Sequence, residues 1–546
     1  MKTIRHISLS MLLLWVWQGA FAQAENPVIA AIQKEVERNR AELRMEGMAS
    51  PFFITYSVVE KLDYTLSASL GALSSVSEYH VRRGLPMLLL GDYRRNNLNT
   101  QERSPSAAVT ALYDNTSGIP ITVWSDLDKA YKSAIERYKT KMALLQQQTE
   151  TQEEEELPDF EAMQPVTMIL QPASFHLNKT YWENYLRKAS ETAREYAGIL
   201  ASSVTLNAQN MMVYTYNTEG SRYAAPSTLY RLSFTANTRA GDGQELTHTI
   251  FVENATFEQM PNPAAFSAQC RTMMENLLKL REAPVIDDAY CGPVLFEGPA
   301  VVRIFRRALF DNNRLSASPQ VVQPSGLRAR SNDLELMFNK KVVSRALTIQ
   351  SLTGEEFYGE RRLNGYYPID AEGVVPDREL TLIENGVLRN MLNGRKPTKK
   401  VRHSNGHARF DPNTNTVQTM PGNILIRCNL TFGDEALRQK LFAAAWEEDL
   451  EYAYIVRQYD SGINLIYKVY IADGREELVR GAAISDDASL KTFKRILGTS
   501  EREQIVTYGD PQATMIAPDA ILFEEMDITR LSNIEFKKPY FVPKPE

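Results

Sequence analysis

Apolar residues recur along this chain with two different spacings, and the spacing changes from segment to segment. Residues 27–45 place Ile29, Ile32 and Val36 on one side of a helix, whereas residues 64–79 alternate apolar and polar positions as a half-buried strand does. The same patterns predict further helices at 127–147, 182–200, 266–281 and 432–448. They predict further strands at 52–60, 211–216, 229–235 and 246–253.

The pattern changes near Ala283-Pro284, which we take as the boundary between two parts of the chain. Helices and strands mix before it, whereas strands predominate after it and turn-forming pairs such as Asn385-Gly386 and Asp473-Gly474 separate them. At 546 residues the chain also exceeds what one hydrophobic core serves. We therefore predict an α+β fold, with a mixed α/β N-terminal domain over 23–284 and a strand-rich domain of curved antiparallel sheets over 285–546.

The first 22 residues are predicted to be a secretory signal peptide. Lys2 and Arg5 make its start positive, and residues 7–17 are apolar but too short to span a membrane. Small residues precede a cleavage site after Ala22, with Ala24 as the alternative position. No later segment has the length and apolar character of a membrane span. We expect an exported protein that is soluble after cleavage and lies in the periplasm if the cell has two membranes.

The composition fits a soluble globular protein and excludes one class of partner. Hydrophobic residues make up 43% and charged residues 23% of the chain, and the formal net charge is −6. An acidic chain lacks the positive field that general nucleic-acid binding needs, so we expect no nucleic-acid partner. Three cysteines do not make a disulfide framework, and we expect all three to be buried.

Two short polar clusters could carry chemistry. His403 and His407 could share a metal on a helix, but Asn405-Gly406 between them favours a loop that faces solvent or substrate. Asp370 and Glu372 would point to one side of a strand, where paired carboxylates can do acid–base work. A turn with solvated acids is the interpretation that we favour for this pair.

Residues 292–311, with the sequence GPVLFEGPAVVRIFRRALFD, combine a short buried strand, a Gly-Pro helix start and an amphipathic helix. The apolar residues of that helix fall on one face, and Arg303, Arg306 and Arg307 fall on the other. The simpler interpretation is a solvated face with acids nearby. The sharper hypothesis is a surface that binds a peptide carboxylate or an acidic partner.

This stretch resembles the strand-to-helix segment of the TldD/PmbA family, also called modulators of DNA gyrase. Five shorter matches keep the family's order, namely NTEG at 217–220, YPIDAEG at 367–373, LIENGVL at 382–388, PGNIL at 421–425 and VRGAA at 479–483. Together they extend over most of the chain after the signal peptide. The acidic net charge gives no support to the DNA-related name.

In metal-bearing members of that family the helix carries HExxxH, in which two histidines bind a divalent metal and the glutamate can activate a water. This chain has Arg306, Arg307 and Asp311 at those positions, and Tyr508 where the family's third ligand is a cysteine. An arginine has no lone pair to give to a metal. The resemblance therefore implies the family's fold without its metal or catalytic residues, and we expect no cofactor.

The resemblance also implies a function related to proteolysis. Metal-bearing and metal-less members associate and enclose a cleft that admits unfolded peptides, so we expect a non-catalytic subunit that forms a homo- or heterodimer with a relative. The candidate peptide- or partner-binding residues are Arg306, Arg307, His403 and His407. Two alternatives stay open: a stand-alone, non-enzymatic peptide-binding protein, and a peptidase built on the loop at 403–407 and a distant carboxylate.

Overall fold

The structure is a computed structural model that describes residues 26–100, 108–110, 116–147, 157–173, 175, 177–286, 288–323, 326–329, 334–412, 414, 416–459, 463–484, 490–509 and 511–531. The predicted signal peptide lies outside the described residues. The α-helices of the described part are α1 Pro27–Glu42, α2 Gly118–Gln147, α3 Lys179–Glu191, α4 Pro263–Glu282, α5 Pro299–Leu309 and α6 Asp434–Glu447. None of these helices is long and apolar enough to cross a membrane.

The strands are numbered in chain order. Strands β1 to β7 are Pro51–Ser69, Ala72–Leu90, Ala108–Thr110, Thr167–Ile169, Ala201–Asn217, Arg222–Arg239 and Glu245–Asn254. Strands β8 to β15 are Tyr290–Glu297, Gln320–Gln323, Gly326–Ala329, Leu347–Ser351, Phe357–Tyr358, Arg361–Arg362, Leu380–Glu384 and Val387–Leu388. Strands β16 to β22 are Ala408–Asp411, Thr416–Thr419, Asn423–Cys428, Thr431–Phe432, Tyr452–Tyr459, Asn464–Tyr470 and Glu476–Val479. Strands β23 to β27 are Ala482–Ile484, Ile496–Ser500, Glu503–Tyr508, Ala513–Pro518 and Ala520–Arg530. These elements confirm the predicted α+β fold with a strand-rich second half.

A seven-stranded sheet organises the first half. Its strands lie in the order β3-β2-β1-β5-β6-β4, and β7 also pairs with β6. Even-numbered residues of β1 face the helices: Ile54 and Tyr56 pack with α1 and α2, and Tyr64 and Leu66 pack with α3 and α4. Because side chains alternate along a strand, β1 contributes to two cores on the same face of the sheet.

The predicted strand at 64–79 is wrong, because the chain turns within it. Leu70 and Gly71 form the turn between β1 and β2, and both have positive φ, 48° and 80°. Two-residue hairpin turns of this kind favour Asn-Gly or Asp-Gly, so a leucine at the first position gives no turn signal. The resulting hairpin is long: it pairs Pro51 with Leu90 at its open end.

The two largest sheets of the second half enclose α5 between them, and three two-stranded sheets, β9-β10, β12-β13 and β16-β17, accompany them. The six-stranded sheet has the order β15-β14-β11-β18-β26-β25, and the eight-stranded sheet has the order β19-β24-β27-β8-β20-β21-β22, with β23 beside β27. Side chains of α5 share one core with Ile424 and Met515 of the first sheet and with Phe296 and Phe523 of the second. Helix α6 packs on the other face of the eight-stranded sheet.

The sheets of the second half are mixed, whereas antiparallel sheets were expected. Strand β18 runs parallel to β26, β20 runs parallel to β8, and β19 runs parallel to β24. Each of these pairs joins strands that are distant in the sequence. Strand direction in such pairs depends on long connections, which carry no local turn signal.

Arg395, from the second half, inserts into the first half and is almost completely buried. Its side chain is 1% exposed, and its Nη2 atom lies 2.6 Å from Glu219 Oε1. The guanidinium also donates to the Glu161 carbonyl oxygen at 2.6 and 2.9 Å and lies 4.1 Å from the centre of the Phe160 ring. A buried cation needs such partners, since removal of its hydration shell is costly.

Two of the short sequence matches each supply one partner of Arg395. Glu219 belongs to the NTEG segment and also accepts a hydrogen bond from the Tyr93 hydroxyl at 2.8 Å. Glu372 belongs to the YPIDAEG segment and accepts from the Arg395 backbone N–H at 2.6 Å. These segments are far apart in the sequence, and in the fold they meet where the two halves join.

A second arginine joins the halves from the VRGAA segment. Arg480 donates from Nε to the Ala283 carbonyl oxygen at 2.8 Å and pairs with Asp242, in the turn before β7. Burial acts to raise the pKa of Asp242, but the hydrogen bonds from Arg480 and from the backbone, together with the charge of Arg480, outweigh burial, and the pKa lies below its ordinary value. The contact coincides with the predicted boundary at 284, although the division into two domains stays a prediction.

Replacement of Arg395 by methionine should strongly destabilise the protein. The Arg395→Met variant keeps much of the side-chain volume but leaves the buried carboxylate of Glu219 without its cation. Removing one partner of a buried ion pair costs about 3–5 kcal/mol. We expect a loss of this size in the free energy of unfolding, measured by denaturant titration.

Arg389→Met is the matched control, because Arg389 pairs with Glu384 at 3.1 Å while its side chain is 45% exposed. Exposed ion pairs contribute less than about 1 kcal/mol, so this variant should unfold almost as the wild type does. If both variants lost the same free energy of unfolding, burial of the Arg395–Glu219 pair would not be the cause of the loss.

Candidate functional site

Helix α5 is positioned by the strand before it and by one turn. β8 ends at Glu297, and Gly298 has a φ of 58°, a conformation that residues with side chains rarely adopt. Pro299 follows at the first helical position, where the missing N–H costs no hydrogen bond. The helix then buries its apolar face in the core between the two sheets, as its sequence pattern predicts.

The structure brings together the three positions that hold metal ligands in the family this chain resembles. Arg306 Nε donates to Asp311 Oδ1 at 3.1 Å, and the Arg306 guanidinium carbon lies 5.4 Å from the centre of the Tyr508 ring. Asp311 follows the end of α5, and Tyr508 is the last residue of β25 in the six-stranded sheet. The positions converge as ligands would, but the group that links them is a guanidinium.

The phenol of Tyr508 is buried beside cations. Burial raises the pKa of Tyr508 well above its ordinary value, and the nearby guanidinium groups of Arg306 and Arg409 oppose that rise. Its hydroxyl oxygen is buried and has no hydrogen-bond partner among the residues that the structure describes. At neutral pH the phenol is therefore protonated and cannot serve as an anionic ligand.

Arg307, at the position of the family's catalytic glutamate, contacts a different residue. Its guanidinium hydrogen-bonds the hydroxyl of Tyr459, and its central carbon lies 5.5 Å from the centre of that ring. Tyr459 is the last residue of β20 and is 7% exposed. A guanidinium stays protonated at working pH, so Arg307 cannot take a proton from water as a glutamate could.

These residues do not fit a divalent metal. Zinc sites in proteins use three or four ligands from cysteine, histidine and acidic side chains. Arg306 and Arg307 have no lone pair to donate. Only Asp311 could act as a ligand, and its carboxylate is already paired with Arg306. In the described part of the chain, no group of three or more His, Cys, Asp or Glu side chains is arranged to hold a metal.

The two histidines of the loop at 403–407 lie in different environments. The His403 side chain is 84% exposed, and its Nδ1 lies 2.7 Å from Glu161 Oε1 of the first half. His407 is fully buried, with Nε2 2.9 Å from Ser351 Oγ and Nδ1 2.8 Å from Asn405 Oδ1. His403 is therefore accessible to a peptide or a partner, whereas the side chain of His407 has no exposed surface for either.

Asp370 and Glu372 lie next to this loop. The sequence favoured a turn with solvated acids for this pair, but the structure buries Asp370. Asp370 is 3% exposed, and its carboxylate accepts hydrogen bonds from the backbone N–H groups of Glu372, Val374 and Ala408. Burial and the neighbouring charge of Glu372 raise the pKa of Asp370 to about 7, against the effect of those hydrogen bonds. The buried carboxylate of Asp370 therefore links its own turn, through Glu372 and Val374, to the end of the histidine loop, through Ala408.

The expectation of three buried cysteines is wrong for Cys291 and for Cys428. Cys270 is buried, Cys428 is partly exposed and Cys291 is exposed. Cys291 lies on β8, where its thiol sits 3.6 Å from Glu525 Oε1, so the neighbour across the sheet is an acid rather than an apolar residue. Although the residue is exposed, partial desolvation of its thiol and the adjacent acids Asp527 and Glu525 raise the pKa of Cys291 to about 12, which keeps it a thiol.

Sequence reasoning missed Tyr459 and Arg395. Tyr459 lies near Arg307 because β20 runs parallel beside β8, and no local pattern links residues so far apart. Asn393-Gly394 marks a turn just before Arg395, but a turn signal does not reveal that the following side chain is inserted into the other half of the protein.

A family model described as PmbA/TldA metallopeptidase C-terminal domain matches residues 292–530. The matched region begins in β8 and ends with β27, so it includes α5, Arg306 and Tyr508. No protein among those with curated descriptions matches the chain.

Solved structures of similar fold extend over both halves. A protein described as a modulator of a DNA gyrase from Thermotoga maritima MSB8 is 15% identical, with a TM-score of 0.58 over 91% of this chain and 100% of that one. TldE from Thermococcus kodakarensis is 13% identical, with a TM-score of 0.54 over 91% and 99% of the two chains. A protein described as a modulator of DNA gyrase from Bacteroides thetaiotaomicron VPI-5482 is 11% identical, with a TM-score of 0.54 over 91% and 99%. At these identities the likeness shows a shared fold.

Protonation of His407 should destabilise the protein in acid. Burial lowers its pKa from 6.5 to about 3, so the unfolded chain binds this proton more readily between those values. The contribution of His407 to stability is therefore complete above pH 6.5 and falls as the pH drops toward 3. We expect the free energy of unfolding to fall more steeply with acid in the wild type than in His407→Gln, as measured by denaturant titration across this range.

His403→Gln is the control for this experiment, because it removes an exposed imidazole and should keep the wild-type slope. Asp370 acts in the opposite direction, since its raised pKa favours the folded state in mild acid, and it is present in all three proteins. Parallel slopes for the wild type and His407→Gln would contradict the assignment of a buried neutral histidine.

The purified wild-type protein should contain zinc far below one ion per chain by elemental analysis. A variant that carries Arg306→His, Arg307→Glu, Asp311→His and Tyr508→Cys should bind more zinc than the wild type, because it supplies three ligands at positions that already converge. Stoichiometric zinc in the wild type would contradict the assignment and direct attention to another site, first to the loop at 403–407.

Proposed function

Because this chain belongs to the TldD/PmbA family, we propose that it is an exported, non-catalytic member that pairs with a metal-bearing relative. In this proposal the pair encloses a cleft for unfolded peptides. This chain forms part of the wall of the cleft, and the relative supplies the hydrolytic centre.

One observation carries the proposal: the positions of the three metal ligands converge and hold an arginine, an acid and a protonated phenol. The Arg306 guanidinium pairs with Asp311 and packs against the ring of Tyr508. It supplies at this point the positive charge that a metal ion would supply, through a partly exposed pair that contributes little to the stability of the fold. The chemistry of hydrolysis is lost while the shape of the site is kept.

Arg306 and Arg307 could give this site a binding function. The Arg306 side chain is 30% exposed, so it retains accessible surface beyond its contact with Asp311. A planar guanidinium recognises carboxylates through paired hydrogen bonds, which suits the C-terminus of a peptide or an acidic side chain of a partner. His403 is the exposed candidate at the junction of the two halves, and His407 supports the loop that presents it.

Export is the second part of the proposal and is supported by the sequence of residues 1–22. A positive start, an apolar stretch too short to span a membrane and small residues before Ala22 are the features of a cleaved signal peptide. The mature chain would begin at Gln23 and act in the periplasm, so its metal-bearing partner should be an exported relative from the same cell.

Replacement of both arginines should disrupt pairing without disrupting the fold. We expect Arg306→Ala/Arg307→Ala to weaken binding to the metal-bearing relative, or to unfolded peptide, by at least about tenfold, because two charge-assisted contacts are lost. The melting temperature should stay close to that of the wild type, since the Arg306–Asp311 pair is partly exposed and such pairs contribute less than about 1 kcal/mol. Both proteins are purified from the periplasm, and binding is measured by calorimetry.

Arg362→Ala is the matched control, because Arg362 forms a similar pair with Glu356 at 2.9 Å and is 38% exposed. It should leave binding unchanged. A mature chain that binds unfolded peptide but never a relative would support the stand-alone alternative instead. Peptide hydrolysis by the purified chain alone, or a chain that retains residues 1–22 inside the cell, would contradict the proposal.

A further inference from the structure

The buried hydroxyl of Tyr508 is a hydrogen-bond donor without an acceptor, and it lies beside an arginine whose donors are mostly unused. The Tyr508 oxygen has no hydrogen-bond partner among the residues that the structure describes. Within the same part of the chain Arg306 donates only from Nε, to Asp311 at 3.1 Å, so its two terminal nitrogens have no acceptor. The Arg306 guanidinium carbon lies 5.4 Å from the centre of the Tyr508 ring, which brings these donors to one place.

A buried donor without an acceptor requires an explanation, because it has lost its hydrogen bonds to water and gained none in the protein. A phenol donates one hydrogen bond, and a guanidinium presents five N–H groups in one plane. Both groups form their strongest hydrogen bonds with an anion. A carboxylate has two oxygens that accept about four hydrogen bonds, so it matches an arginine and a phenol that share one place.

The surroundings of Tyr508 are rich in arginine although the chain as a whole is acidic. Arg409 of β16 is close enough for its charge to oppose the rise in the pKa of Tyr508. Arg231 of β6, in the first half, donates to the carbonyl oxygen of the residue after Tyr508 at 3.4 Å and pairs with Glu253 at 2.6 Å. The acid whose charge acts on the phenol is Asp311, which is already paired with an arginine. An approaching anion therefore meets guanidinium groups from three elements of the fold.

We propose that this place binds a carboxylate carried by a peptide, with the Arg306 guanidinium and the Tyr508 hydroxyl as its donors. The inference rests on the proposed function, because it names the ligand of the site that forms part of the cleft wall, and it adds Tyr508 to the binding residues. The carboxylate belongs either to the free C-terminus of the peptide or to one of its acidic side chains. The chemistry of recognition is the same for both, and the choice of peptide separates them.

Arg306 has to move when the carboxylate binds, because the Tyr508 oxygen has almost no accessible surface in the free chain. Its side chain is suited to this movement. It is 30% exposed, and within the described residues its only hydrogen bond is to Asp311, whose side chain is 34% exposed. Exposed pairs of this kind contribute little to stability, so a carboxylate of the ligand can replace Asp311 as the partner of the guanidinium. Asp311 is then a competitor that the ligand displaces.

Short peptides test the class of ligand on the isolated mature chain. N-acetyl-trialanine with a free C-terminal carboxylate should bind in calorimetry. The same peptide with a C-terminal amide should bind at least about tenfold more weakly, because the charge-assisted hydrogen bonds are lost. An amidated peptide with one glutamate measures the other source, and binding by this peptide alone would place the carboxylate on a side chain. If neither carboxylate peptide binds more tightly than the plain amide, the proposal is overturned.

Tyr508→Phe removes a single oxygen and should weaken binding of the carboxylate peptide about tenfold. The free energy of unfolding of the unliganded chain should not fall, since the lost hydroxyl had no partner. Tyr64→Phe is the matched control, because the Tyr64 hydroxyl is also buried without a partner, but in the core of the first half. This variant should bind the peptide as the wild type does.

Asp311→Asn gives a second measurement with the opposite sign. It removes the competing carboxylate and its repulsion of the ligand, so the carboxylate peptide should bind at least about threefold more tightly. A variant that merely damaged the site would bind more weakly instead. Wild-type affinity in Tyr508→Phe, or weaker binding in Asp311→Asn, would overturn the proposal.

The failure of this inference is distinguishable from that of the proposed function. If acid and amide peptides bind alike while a metal-bearing relative still pairs with the chain, the carboxylate site is wrong and the pairing stands. If no relative pairs with the chain while the preference for the free acid is present and is lost in Tyr508→Phe, the pairing is wrong and the carboxylate site stands.

Discussion

The structure depends most on a single buried cation. Arg395 leaves the second half of the chain, enters the first and exchanges its hydration for Glu219, the carbonyl oxygen of Glu161 and the ring of Phe160. These partners come from separate segments, so the charge is compensated only when both halves are folded and in contact. The loop at 403–407 is fixed at the same junction, because Glu161 also binds His403 and the Ser404 backbone N–H.

A metal site and an arginine–carboxylate pair solve the same structural problem at α5. A metal ion would bind the end of the helix to the neighbouring sheet through three ligands. Here the Arg306 guanidinium contacts Asp311 and the Tyr508 ring, and Arg307 anchors the next position to Tyr459. Neither guanidinium has a lone pair for a metal or can act as a base toward water.

Much of the fold could be predicted from the sequence where the signal is local. Helix α5 begins at Pro299 and buries its apolar face, because Gly-Pro starts and helical periodicity act over a few residues. The turn at Leu70-Gly71 carried only a glycine as a signal, and the strand prediction ran through it. The parallel pairs β18–β26 and β8–β20 could not be predicted, since they join segments whose connection is long.

The sequence by itself determined the chemistry that this site lacks. A guanidinium has no available lone pair in any fold, so Arg306 and Arg307 cannot themselves be a metal ligand or a general base wherever they lie. Only the tertiary structure decided that Arg306, Asp311 and Tyr508 meet, and that His403 is exposed while His407 is buried. The reason is physical. The residue type alone sets whether a side chain can donate a lone pair, whereas proximity and burial result from the packing of the whole chain.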